Sequence, residues 1–176
     1  MTAILFKKYL KHILELEGIY SDNKNDRGGK TKFGITEKTA QSYGWKESIE
    51  LLPLYIAEKI YYSRYWNKAR LSEVAVYSPT IALEIFESGV NCGIKRSCKW
   101  FQKALNALRT IDDLEEDGII GKKTLKALSY RRHYLDHITI IKIMNAYQAM
   151  HYVLLCKNDP SQKEFIRGWF KRVDYT

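Results

Sequence analysis

Three carboxylates near the start of the chain, Glu17, Asp22 and Asp26, have a spacing that suits acid and base chemistry. Glu17 closes a run in which Phe6, Leu10, Ile13 and Leu14 recur at helical spacing, so its side chain leaves the same face as theirs. Burial beside apolar groups disfavours the ionised form. The Glu17 pKa is therefore expected to rise toward the range where a general acid works at neutral pH. Gly18 stops the helix and leaves the acid at the lip of a cleft. Asp26 follows nine positions later, inside the turn-forming run Asn-Asp-Arg-Gly-Gly, and Asp22 precedes it in the same polar stretch. Two carboxylates across a sugar-sized gap are the equipment of glycoside hydrolysis: one protonates the leaving oxygen, and the other positions water or stabilises an oxocarbenium-like transition state. Asp26, or failing that Asp22, fills the second role. The plainer alternative makes Glu17 a last-turn residue reaching water and the two aspartates turn formers.

The elements that must hold these groups are mostly helices. A short extended segment near residues 28–36 reads as a β-hairpin, and Thr36 then caps a helix that Gly44 ends. Residues 54–65 form the next helix, with Leu54, Ala57, Ile60, Tyr61 and Tyr65 expected inward. Tyr61, Tyr62, Tyr65 and Trp66 can fill a core and leave rings over for a sugar groove. Ser78-Pro79 starts a central apolar helix, whose exit carries Glu87 and Asn91. Helices follow over 96–109, from about 119 to 128 and over 135–156, the last with Ile140, Ile141, Met144, Tyr147, Met150 or His151, and Leu154 as its expected core stripe. His151 on that face reads as a packed or cleft-edge residue. Asp159-Pro160 opens a closing helix with Phe165, Trp169 and Phe170. The fold class is mainly α.

At 176 residues the chain suits one well-buried core, and its 45% hydrophobic and 28% charged content is ordinary for a globular protein. A net charge of +9 implies an anionic partner. Residues 1–90 hold 13 Lys and Arg against 11 Asp and Glu, and residues 91–176 hold 16 against 9, so the basic surface lies mostly in the second half. No helix reads as a recognition element rich in Arg, Asn and Gln with a basic face, so nucleic acid is not the expected partner. Cys92, Cys98 and Cys156 read as small buried thiols, with one Cys92–Cys98 bond as the alternative. The acidic run Asp112, Asp113, Glu115, Glu116 and Asp117 lacks the calcium-loop pattern, and neither a metal nor a cofactor is expected. Lys7, Lys8, Lys11 and His12 interrupt any secretory apolar run, and no stretch has the ~20 apolar residues of a membrane span.

The motifs also resemble a family. Glu17-Gly18-Ile19-Tyr20, Asp22, Asp26, Gly28-Gly29 and Thr31-Lys32-Phe33-Gly34-Ile35-Thr36 resemble the Glu-Gly-Gly-Tyr signature of glycosyl hydrolase family 108 N-acetylmuramidases, lysozyme-like proteins some of which are labelled secretion activators. Tyr61-Tyr62-Ser63-Arg64-Tyr65-Trp66, Ile85 to Gly93, Asp117-Gly118-Ile119-Ile120-Gly121-Lys122-Lys123-Thr124 and Phe165 to Val173 are similar to its later motifs, in the same order. The resemblance implies a lysozyme-like helical fold and hydrolysis of the β-1,4 bond between N-acetylmuramic acid and N-acetylglucosamine, with Glu17 as the acid. It implies that Tyr20, Tyr65, Trp66, Glu87 and Asn91 meet substrate or hold the catalytic loop, and that Thr36 helps position water and sugar. Ile19 stands at the signature's second Gly, Glu87 where Asp is usual, and Cys92 where His is frequent.

The expected organisation is a catalytic part over residues 1–90 and a peptidoglycan-binding-like helical part over 91–176, packed as one globular unit. Bacterial peptidoglycan is the expected partner. Made in the cytoplasm without a signal peptide, such an endolysin-like or phage-like hydrolase reaches the wall, in the periplasm or outside the cell, through a holin, cell lysis or an export system. A non-catalytic wall-binding protein is the alternative, and a basic nucleic-acid-binding helical protein is a weaker one.

Overall fold

The computed structural model describes residues 2–17, 20, 21, 30–108, 113–131 and 133–173, and for residues 2, 3, 16, 17, 20 and 21 it describes the backbone alone. The architecture is mainly α and lysozyme-like, with one small sheet. Two compact units divide the chain, Met1–Lys68 and Ala69–Thr176.

The first unit opens with helix α1, Thr2–Glu17. Phe6, Tyr9, Leu10 and Ile13 are its buried residues, the stripe that the 3.6-residue period selects. Strands β1, Tyr20–Ser21, β2, Thr31–Lys32, and β3, Ile35–Thr36, form an antiparallel sheet in that order. The β2–β3 pair is the hairpin expected from the sequence. Phe33 and Gly34 take positive φ (53° and 71°) at its turn, as a two-residue loop matched to strand twist requires. Thr36 caps helix α2, Glu37–Ser42, by accepting a hydrogen bond from the Thr39 amide at 3.1 Å.

A 3-10 turn, Ile49–Leu51, leads to helix α3, Leu54–Tyr61. The predicted α-helix over 54–65 stops earlier than expected: Tyr62–Asn67 is a π-helical turn. Ala57, Ile60 and Tyr61 face inward as predicted, whereas Leu54 is 42% exposed because it occupies the first turn, at the rim. Trp66 is only 1% exposed and meets Phe6 and Tyr9 with ring centroids 5.5 and 6.0 Å apart.

The second unit is helical: α4, Leu71–Tyr77; α5, Pro79–Cys92; α6, Ile94–Ala107; α7, Lys122–Ser129; α8, Tyr134–Asn158; and α9, Ile166–Phe170. Ser78 and Pro79 start α5 as the sequence indicated, with the Ser78 hydroxyl accepting from the Ile81 amide. Gly93, at φ 93°, turns the chain directly into α6. Close approach there depends on small residues: the buried hydroxyls of Ser88 and Ser97 lie 2.8 Å apart, and a Cβ on Gly89 would fall 2.6 Å from Ile94 Cδ1.

Helix α8 corrects the predicted core stripe. Ile140 and Met144 are buried, but Tyr147, Met150 and Leu154 are exposed, and Asn145, Gln148 and Tyr152 take the inner positions. The helix is apolar on most sides, so periodicity alone could not choose a face. The inward polar groups are kept by hydrogen bonds, such as Asn145 Nδ2 to Glu84 Oε2 at 3.3 Å.

Candidate active site

Glu17 is the last residue of α1, and only its backbone is described. Three residues on, Tyr20 pairs with Lys32 and Ser21 with Thr31. Asp22 and Asp26 lie outside the described residues, between these two paired strands. The return limb is anchored on several sides. Lys30 Nζ sits 3.0 Å from Glu50 Oε1, Lys32 bonds the Glu50 carbonyl, and the Glu37 amide donates to the Lys30 carbonyl at 3.2 Å. The exposed Lys30–Glu50 pair is worth ~0–1 kcal/mol and acts as a positional tether more than a source of stability.

The tip of the hairpin is held from below. Tyr61 is fully buried on α3 and donates its hydroxyl hydrogen to the Phe33 carbonyl at 2.9 Å. The sequence reading missed this role for Tyr61. The available signal was a phenol on an inward helix position, since a buried hydroxyl needs a partner. Tyr65 is half-buried and tilts against Tyr61 at 5.6 Å. Of the four rings proposed for core or groove, Tyr61 and Trp66 are core, while Tyr62 is exposed and Tyr65 intermediate. Thr36 is committed to capping α2, its hydroxyl also donating to Thr39 Oγ1 at 2.8 Å.

Glu87 and Asn91 belong to α5, in the second unit. Both are half-buried. Asn91 does not cap the helix; Gly93 does. Its Oδ1 accepts from the Tyr152 hydroxyl at 2.6 Å and from Cys92 Sγ at 3.3 Å, and Gln148 Nε2 donates to the same Tyr152 oxygen at 2.7 Å. Burial pushes the Cys92 thiol up to about 11 and raises the Tyr152 phenol as well. His151 lies beside Trp100, 3.2 Å from Arg96 Nη1, and burial followed by the Arg96 charge lowers its pKa.

The Asp-Gly-x-x-Gly-x-x-Thr motif is a structural clamp. Gln102, buried on α6, donates to Asp117 Oδ1 at 2.8 Å and to the Ile119 carbonyl at 3.1 Å, and accepts from the Gly118 amide at 2.7 Å. Asn106 does the same for Leu114, exchanging bonds with its carbonyl and amide. No group of His, Cys, Asp and Glu among the described residues is arranged to hold a metal.

The glycosyl hydrolase 108 family model matches residues 10–93, and a model described as a predicted peptidoglycan domain matches residues 96–174. Residues 10–93 are thus similar to glycosyl hydrolase family 108. The solved structure of SagA from Brucella abortus is similar to this chain, with 28% identity and a TM-score of 0.75 over 96% of this chain and 88% of that one. No curated protein matches the sequence. The stretch matched by the family 108 model therefore holds Glu17, the sheet and helix α5, while the stretch matched by the peptidoglycan model begins within the first turn of α6. Helix α5 thus falls in the stretch matched by the family 108 model and, by packing, in the second compact unit.

Proposed function

We propose that the protein is a peptidoglycan muramidase, cleaving the β-1,4 bond between N-acetylmuramic acid and N-acetylglucosamine. The observation that carries the reading is the pairing of Tyr20–Ser21 with Thr31–Lys32 directly after Glu17. The two paired strands flank, in the chain, the stretch that carries Asp22 and Asp26, within residues similar to glycosyl hydrolase family 108 and followed by residues similar to a predicted peptidoglycan domain.

In this reading Glu17 protonates the leaving glycosidic oxygen. Asp26 or Asp22 carries the second carboxylate function, and their separation from Glu17 sets whether configuration is retained or inverted. Tyr65 supplies a half-exposed ring for sugar stacking, and Tyr20 borders the catalytic loop. The basic second half, 16 Lys and Arg against 9 Asp and Glu over residues 91–176, favours residence on an anionic wall. No described helix is long and apolar enough to cross a membrane.

The test is digestion of purified peptidoglycan followed by borohydride reduction and mass spectrometry. Reduced muramic acid at the new ends is expected; reduced N-acetylglucosamine would assign the other glycosidic bond. Wall pull-down with no release of either would leave a binding protein.

A further inference from the structure

A groove of about 550 Å³ runs along α1 in the first unit, within the ~300–1,000 Å³ range of ligand sites. Its α1 wall is Lys7, Leu10, Lys11, Leu14 and Glu15, a stripe at helical spacing, and its α3 wall is Leu54 and Glu58, one turn apart. From Lys7 to Glu15 the stripe is about 12 Å long, enough for three or four residues of extended peptide at ~3.3 Å each. On α1 the lining ends at Leu14 and Glu15, within one turn of Glu17, the residue that closes the helix.

The walls also define the ligand. The floor is apolar, and the rim carries two cations and two anions. Lys11 and Glu15 stand 4.0 Å apart with side chains 81% and 62% exposed, a pair weak enough to exchange for a ligand's charges. A bare N-acetylated glycan has no cation for Glu15 and Glu58. A short peptide of alanyl residues, a γ-linked glutamate and a diamino acid offers methyl groups to the leucines, carboxylates to the lysines and an ammonium to the glutamates. The geometry points to this groove as the seat of the peptidoglycan stem peptide, held beside the strand to be cut. The choice of peptidoglycan rests on the muramidase reading; the class of ligand rests on the groove.

The test is calorimetric titration of the full chain with free alanyl-γ-glutamyl-diaminopimelyl-alanine peptide at 0.15 M salt, where long-range charge attraction is screened. Binding is expected, weakened at least tenfold in Lys7→Glu/Lys11→Glu and in Leu54→Asp, and retained in Lys38→Glu/Lys46→Glu, which changes net charge equally outside the groove. Leu54 is exposed at the helix start, so Leu54→Asp carries the test if the double variant does not fold, as read from its melting curve. Absence of binding at millimolar peptide, or equal weakening in both double variants, overturns the assignment. No glycan bond breaks in this titration, so its outcome is separate from that of muropeptide release.

Discussion

Tyr61 Oη lies 2.9 Å from the Phe33 carbonyl oxygen, and this bond ties the core of the first unit to the turn of the β2–β3 hairpin. Phe33 itself holds φ 53°, a conformation that costs a non-glycine residue roughly 1–2 kcal/mol and persists only where neighbours enforce it. Tyr61→Phe removes the enforcing bond and keeps the ring. Unfolding in urea is expected to show a loss of about 0.5–1.5 kcal/mol, with slower muropeptide release from a loosened hairpin. An unchanged midpoint and rate would mean that the turn holds itself.

Asn91 is bonded within the second unit through Tyr152. Asn91→Ala leaves the nearly fully buried Tyr152 hydroxyl without its acceptor and is expected to cost about 1–3 kcal/mol. A cycle with Tyr152→Phe should show coupling of about 0.5–3 kcal/mol. Strict additivity would mean that the two residues act separately.

Gly118 combines φ 79° with a position where a Cβ would stand 2.5 Å from the Lys95 carbonyl oxygen. Neither the dihedral nor the backbone contact can relax cheaply. Gly118→Ala should destabilise the protein by more than about 2 kcal/mol, read as a lower thermal midpoint. Gly121→Ala, where nothing lies within 4 Å, should cost much less.

The titrating groups of the second unit set a stability window. The folded state holds His151 below its ordinary pKa, by burial and then by Arg96. Stability from this residue is full above about pH 6.5 and falls as the pH drops toward the lower folded value, because the unfolded chain takes up the proton first. Cys92 works in the other direction. With its thiol raised to about 11 by burial, its contribution is full below the unfolded pKa near 8.5 and is lost as the pH climbs toward 11. Melting from pH 5 to 10 should trace both edges, and His151→Gln should flatten the acid side alone.

Much of this was legible in sequence where local chemistry leaves little choice. Ser78-Pro79, Thr36 with Gly44, and the hairpin ending at Thr36 are cap and turn signals, and each lies where expected. Burial of all three free cysteines was likewise readable from their type and spacing. Helix α8 was not legible, because a helix with apolar residues on most faces carries no period that names its inner one. Its choice is made by Asn145 and Tyr152 reaching Glu84 and Asn91, partners 61 residues away in each case. For the same reason Tyr61 read as a ring for core or groove when it is also the anchor of a turn. Gln102 and Asn106 gave no signal as clamps, since their partners come from a loop without periodicity.

The most direct measurement is the rate at which new reducing-end muramic acid appears from purified peptidoglycan, for the natural chain and for Glu17→Gln at matched folded concentration. Release is expected from the first and a loss of at least ~10²-fold in the second, the scale of a removed general acid. Equal rates for the two would remove Glu17 from the chemistry and contradict the account.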